Sequence, residues 1–228
     1  MKIGLIVAMQ KEFKAIESLL ESSQKIETTT YEYITGKIGN NEIILMQCGI
    51  GKVNAAMGTE NMLNLFSPHL VVSTGVAGGI GKDLQVMDIV ISSRLAYYDV
   101  FCGEENQFGQ VQGMPAQFSS PVSMVKKAKQ LNYTNKIHSG LVVTGDWFVT
   151  QKEKVLNILS HFPGALAVDM ESAAIAQVCF IRRIPFCSLR IISDTPLNND
   201  SLNQYKDFWK TLADKSFNFT KLFLENLD

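Results

Sequence analysis

The sequence contains no paired cysteines, no linker and no long apolar run. Cys48, Cys102, Cys179 and Cys187 are scattered through 228 residues, and no two stand in CxxC or zinc-ligand spacing. Without a disulfide framework the chain reads as cytoplasmic. Three of the four lie in apolar runs, where a thiol behaves as a small core hydrophobe, and Cys102 lies in a polar loop. No stretch approaches the ~20 apolar residues of a membrane helix. The start, MKIGLIVAMQKEF, has a short apolar run that gives way to Gln10-Lys11-Glu12 without a small-residue cleavage site, so a signal peptide is not expected. Formal net charge is −1 with both signs interspersed, which gives no footprint for nucleic acid or an anionic membrane. His69, His138 and His161 fall near element ends in no ligand spacing, so they read as structural and no metal is expected. With no Pro/Gly/Ser-rich linker and no composition shift, residues 1–228 read as a single domain.

What is present is an alternation of apolar runs and helical patterns. Lys2–Met9 reads as a buried strand, followed by a helix with Phe13, Ile16 and Leu20 on one stripe. Tyr31–Gly36 and Glu42–Gln47 read as a hairpin turning at Gly39-Asn40-Asn41. Gly49-Ile50-Gly51 breaks the chain before a helix over Lys52–Phe66. Leu70–Ser73 is a strand, and Thr74–Gly79 a tight glycine loop after it. Val86–Ser92 and Ser139–Val143 are further strands, while Pro121–Leu131 and Lys152–Leu159 are helices. Tyr97–Phe118 has no period and is long for a plain connection, as binding loops and lids often are. Tyr205, Phe208, Leu212, Phe219 and Phe223 predict one long C-terminal amphipathic helix. Strands alternating with helices imply an α/β layer fold around a largely parallel sheet.

The richest stretch is Ala165–Asp194. One apolar run ends at Asp169-Met170-Glu171, an alanine-rich helix follows, and a second run over Ile184–Ile192 ends on Ser193-Asp194. In open α/β sheets ligands bind beyond the carboxyl ends of the strands. Reading past each strand gives Glu12, the glycine loop with Gly75 and Val76, Asp146-Trp147-Phe148, Met170-Glu171 and Ser193-Asp194. Taken singly, Glu12 and Glu171 also read as first-turn acids favoured by the helix dipole, Asp194 as a cap and Phe148 as a core ring. Gly75–Lys82 is out of register for a phosphate-binding Walker loop and has Asp83 where a hydroxyl should hold magnesium. Gly49-Ile50-Gly51-Lys52 lacks the third glycine of a dinucleotide fingerprint, and no GxSxG elbow occurs.

MKIGLIVAMQKEF, STGVAGGI, TGDWFV, VDMESAAIAQVC and LRIISD together resemble the 5′-methylthioadenosine/S-adenosylhomocysteine nucleosidases, in the family's order and over nearly the whole chain. The resemblance implies a three-layer sandwich with a central mixed sheet flanked by helices, a homodimer, and hydrolysis of the N-glycosidic bond that releases adenine and an S-substituted 5-thioribose. No cofactor is implied. Carried over by motif, Asp194 protonates N7 of the base, Glu12 deprotonates the attacking water and Glu171 holds the ribose hydroxyls. Met170 packs on the sugar, Phe148 stacks on the base, the backbone of Val149 bonds its edge and Arg190 helps place the water. Met9, Ile50 and Tyr205 match apolar positions around the 5′-alkylthio group, and part of the Val100–Pro115 loop reaches that pocket in the partner subunit. Val76 stands where many relatives have Ser, and Asp169 replaces the more usual Glu, with its side chain expected to point away from the sugar. The Tyr97–Phe118 loop departs from the commoner form, which leaves the 5′-substituent preference open.

Phosphate is the rival to water. A site for a dianion normally uses several arginines, and this chain has four, of which only Arg190 is expected on the strand rim. Hydrolysis is favoured, with a purine nucleoside phosphorylase, a hydrolase of another adenine nucleoside such as aminodeoxyfutalosine, and a non-catalytic nucleoside sensor as alternatives.

Overall fold

The computed structural model describes residues 1–198, 200–211 and 217–227. The helices are α1 (Gln10–Glu17), α2 (Lys52–Phe66), α3 (Val122–Gln130), α4 (Lys152–His161), α5 (Ser172–Arg182), α6 (Ser201–Thr211) and α7 (Asn218–Glu225). The strands are β1 (Lys2–Val7), β2 (Glu21–Glu27), β3 (Glu32–Ile38), β4 (Asn41–Gln47), β5 (Leu70–Gly79), β6 (Ile89–Tyr97), β7 (Phe118–Ser119), β8 (Ile137–Thr144), β9 (Ala165–Asp169) and β10 (Phe186–Asp194). All belong to one mixed sheet flanked by helices.

β4, β1, β5 and β10 run parallel in that order, and they are the Ile/Val/Leu-rich runs buried on both faces. β10 pairs antiparallel with β6, which leads through β8 to β9, and β9 returns to the far half of β5. The sheet therefore closes on itself through β5, and β9 and β10 stand on either side of that strand rather than next to each other. The β3–β4 hairpin turns through Gly39-Asn40, with Gly39 at φ 57°.

Apolar residues fill both sides of the sheet. Phe13 and Ile16 of α1 pack with Leu5, Val72 and Leu189, and Phe208, Phe219 and Phe223 of α6 and α7 join the same cluster. Each such side chain contributes about 1.5–3 kcal/mol on burial, which fixes α1 and α6 against the sheet. On the opposite face Ala173, Ala174 and Ala176 of α5 let that helix lie close to α2 and the strands.

Several elements differ from expectation. Leu20 does not extend the first helix, because α1 ends at Glu17 and the chain enters edge strand β2. That strand, ESSQKIE, is exposed at every position and so carries no apolar alternation. Thr74–Gly79 is not a loop but the second half of β5. The strands predicted at Val86 and Ile184 begin later, at Ile89 and Phe186, and β6 runs on to Tyr97. The single C-terminal helix is instead α6 and a new helix that starts after an N-cap at Phe217; Leu212 lies outside the described residues. Among the described residues, no helix is long and apolar enough to cross a membrane.

Candidate active site

A cavity of about 610 Å³, counted to its open mouth, lies at the carboxyl ends of the central strands. Ala8, Met9 and Glu12 come from the β1–α1 junction, Val76–Gly78 from β5, and Val168–Glu171 from the end of β9. Ser193 and Asp194 come from the end of β10, Trp147–Val149 from the segment after β8, Ile50 from that after β4, and Tyr205 from α6. Among the described residues, four carboxylates and no cation line it.

Glu12 occupies the third position of α1, so its side chain can reach back over the helix start. Oε2 accepts the N–H groups of Ala8 at 3.0 Å and Met9 at 2.9 Å, and Oε1 accepts that of Val76 at 3.0 Å. Glu12 is thus a first-turn acid of α1 and a cavity-lining residue at once. Burial raises its pKa, against the opposing pull of these N–H groups and the Arg190 charge. Gly75 explains why the chain uses glycine in mid-strand. A Cβ there would stand 2.6 Å from Oε1 of Glu12 and 3.1 Å from Nη1 of Arg190.

Glu171 is the N-cap residue of α5, but its carboxylate does not cap. Oε1 turns to the N–H of Gly51 at 2.9 Å. Gly51 takes φ 96° at the start of α2, a conformation that L side chains resist. Burial first, then the nearby Asp169 charge, pushes the Glu171 carboxyl up to about 8. Asp169 does the capping, accepting the N–H of Ser172 at 3.2 Å.

Asp194 ends β10 at a bulge. Ile192 is in register with Ala77 and Asp194 with Gly78, which leaves Ser193 as the extra residue. A bulge of this kind re-aims side chains, and both Ser193 and Asp194 reach the cavity wall. The Ser193 hydroxyl donates to Oδ1 at 2.7 Å and the Ser201 hydroxyl to Oδ2 at 2.5 Å. Burial raises the Asp194 pKa, with the two hydroxyls working the other way.

The mouth is apolar and aromatic. Phe148 meets Tyr205 edge to face at 5.1 Å, and the Tyr205 hydroxyl lies 3.7 Å from Sδ of Met9. Ile50, Trp147 and Phe148 are about half exposed, leaving a stacking surface open to a ligand.

Two expected site residues are not among those lining the cavity. Arg190 is in the body of β10, in register with Gly75, rather than on the strand rim. Its Nε donates to Oδ2 of Asp169 at 2.7 Å, and Nη2 to Ser73 at 2.9 Å and Ser172 at 2.8 Å. Burial opposes its charge, but Asp169, Glu171 and Glu12 more than offset this and raise its pKa. Gly75 likewise stands behind Glu12 rather than at the wall. The remaining expected residues, Met9, Glu12, Ile50, Val76, Phe148, Val149, Met170, Glu171, Ser193, Asp194 and Tyr205, share the cavity. Asp169, discounted in the sequence, lines the cavity and is the buried partner of Arg190.

The Phosphorylase superfamily profile matches residues 2–225. The chain is 36% identical over 217 residues to a 5′-methylthioadenosine/S-adenosylhomocysteine nucleosidase of Exiguobacterium, with 93% of each covered. Identity to the Haemophilus ducreyi nucleosidase is 38% over 229 residues, covering 99% of this chain and 98% of that one. The chain belongs to the 5′-methylthioadenosine/S-adenosylhomocysteine nucleosidase family of the phosphorylase superfamily. Among solved members, the Streptococcus pneumoniae nucleosidase with the transition-state inhibitor MT-ImmA has a TM-score of 0.94 at 34% identity, each chain fully covered.

Sequence reasoning missed two contributors to this nucleosidase-family site. Gly51 acts through its N–H, which no side-chain motif announces. Ser201 lies seven residues beyond Asp194, on the next helix. Trp147, which the strand-end rule placed beside Phe148, lines the cavity as well.

Proposed function

We propose that this protein hydrolyses the N-glycosidic bond of 5′-methylthioadenosine and S-adenosylhomocysteine, giving adenine and the S-substituted 5-thioribose. The observation that carries this reading is four buried carboxylates, and among the described residues no lining cation, around one aromatic-mouthed cavity. Asp194 gives a proton to N7, the C1′–N9 bond breaks and its electron pair leaves with the base. Water adds to C1′ and loses its proton to Glu12. Adenine is a poor leaving group as an anion, so an acid on the base side contributes about 10²–10⁴-fold. Glu171 accepts hydrogen bonds from the ribose hydroxyls, and the Glu12 carboxylate stabilises the positive charge that develops on the sugar. Phe148 stacks on the base, the Val149 backbone bonds its edge and Met170 packs on the sugar. Met9, Ile50 and Tyr205 enclose the 5′-alkylthio group.

The lining argues for water over phosphate. Arg190 is the buried arginine nearest the site, and its Nε and Nη2 are already committed to Asp169, Ser73 and Ser172. A phosphate dianion would face carboxylates instead. Val76, without a hydroxyl, still offers its N–H, which holds Glu12. Arg190 acts through Asp169 and the neighbouring acids.

The nucleosidase domain spans residues 1–228 and works as a cytoplasmic homodimer on a small nucleoside, not on nucleic acid. Supporting the dimer, Val53 and Met57 of α2 and Phe180 and Ile181 of α5 are exposed apolar residues on two helices that pack together. No residue of 98–118 lines this chain's cavity, in keeping with a loop that reaches the partner's.

Turnover of methylthioadenosine in ¹⁸O-labelled water tests the reaction. One label in each thioribose is expected. An unlabelled sugar phosphate would assign the protein to phosphorolysis.

A further inference from the structure

An acid that must give up its proton in a buried site faces two opposed demands. Burial keeps the proton on in the ground state, and the anion left behind then needs donors already in place. Asp194 meets the first demand by being 1% exposed. Two hydroxyls address the second, one on each carboxylate oxygen. Each oxygen has two lone-pair directions, so one hydroxyl apiece leaves a direction on each for proton transfer.

The two hydroxyls are not equivalent. Ser193 has an alternative acceptor in the Ala77 carbonyl at 3.4 Å, so its single proton can turn away from Oδ1. Ser201 sits at the start of α6, is 2% exposed and lies 2.5 Å from Oδ2. Its helix is anchored by fully buried Phe208. It is also tied to the segment after Asp194 by Gln204, whose Oε1 accepts the Thr195 N–H at 2.8 Å and hydroxyl at 3.0 Å.

Resting on the assignment of Asp194 as the acid, we infer that Ser201 is a positioning residue for the reaction. Its hydroxyl fixes the rotation of the Asp194 carboxyl and donates to the anion formed as N7 takes the proton. A helix-start serine with no such role would leave the pH profile unchanged. A donor to the anion lowers the pKa of the acid, so its removal raises that pKa. Activity needs the protonated acid and falls as pH rises through its pKa, so the alkaline limb moves upward when the donor is lost. Among the described residues, the other titratable groups facing Asp194 across the cavity are Tyr205 on α6, Glu12 on α1, Asp169 at the end of β9 and Glu171 just after it, and none is altered by the substitution. Ala77 and Gly78 of β5 and Val168 of β9 bring no titratable group.

The test is adenine release from methylthioadenosine by full-length Ser201→Ala, Ser201→Cys and Ser201→Thr proteins across pH. The Cys variant keeps the side-chain volume with a weak donor, so it reads the same effect if the Ala variant does not fold. For Ala and Cys, kcat is expected to fall about tenfold or more with KM changed less than about threefold, and the alkaline limb of kcat to move up. Thr is expected to stay within about threefold of the unaltered protein, since its hydroxyl remains. An unmoved alkaline limb in Ala and Cys, or a Thr variant as slow as Ala, overturns the inference. Asp194→Asn separates the two layers of argument. If it abolishes turnover while the Ser201 variants show no pH response, only the role of Ser201 fails. If it turns over normally, the acid assignment fails and takes Ser201 with it.

Discussion

Nε of Arg190 lies 2.7 Å from Oδ2 of Asp169, and each side chain is 3% exposed or less. This ion pair sits beneath the candidate site. It neutralises an arginine that would otherwise offer a second anion site, and it holds positive charge behind Glu12 and Glu171.

Removing one member of a buried pair leaves an uncompensated charge, which costs about 3–5 kcal/mol. Asp169→Asn should therefore lower the urea midpoint strongly. The Asp169→Asn/Arg190→Met double variant should recover part of the loss, because no lone charge remains. Additive losses in the double variant would mean the pair is not the stabilising unit.

Gly75→Ala places a methyl group 2.6 Å from Oε1 of Glu12 if nothing moves. Glu12 must shift away from the Val76 and Met9 N–H groups, and displacement of about 1 Å costs up to ~10²-fold in rate. Initial rates for this variant should fall by at least tenfold with a smaller change in unfolding midpoint. Wild-type kinetics would show that the Glu12 position is not fixed by that contact.

As the base, Glu12 must be ionised, and burial raises its pKa. Activity therefore falls as pH drops through that raised value, placing the acid limb of kcat/KM above the ordinary 4.5 of a glutamate. Glu12→Gln should reduce kcat by about 10²–10⁴-fold and leave no acid limb of this origin. An acid limb that persists unchanged in the residual activity assigns it to another group.

Glu171 carries a stability signature in the unliganded protein. Its folded pKa is raised, so its contribution is fully present below the unfolded value near 4.5 and is lost as pH rises toward 8. Glu171→Gln removes the cost of burying that charge and keeps an oxygen for the Gly51 N–H. The variant should gain about 1–3 kcal/mol over the unaltered protein at pH 8, with the gain shrinking at pH 5, while ribose binding weakens. Equal thermal midpoints at both pH values would contradict the burial argument.

The parts of this site visible in the sequence were those that end an apolar run. Glu12, Glu171 and Asp194 each follow a buried strand, and a run of Ile, Leu and Val stopping at an acid is a strong local signal. What stayed hidden depended on the third dimension or on the backbone. The β5–β10 and β5–β9 ladders close the sheet through pairings far apart in sequence. β5 runs through Gly75, Gly78 and Gly79 because neighbouring side chains need their space, although glycine is a poor strand former. β2 is an exposed edge whose Lys25 pairs with Glu27 and Glu32, charges that blunt further strand pairing. Arg190 was placed on the rim by its nearness to Asp194, yet four residues along a strand is about 13 Å, enough to set it in the body of the sheet.

The central claim is that the carboxylate cavity uses water. Initial rates of adenine release from methylthioadenosine, measured in phosphate-free buffer and then across increasing phosphate, test it directly. The account predicts full turnover without phosphate and no acceleration by it. No adenine in phosphate-free buffer, with turnover that rises as phosphate is added, would contradict it.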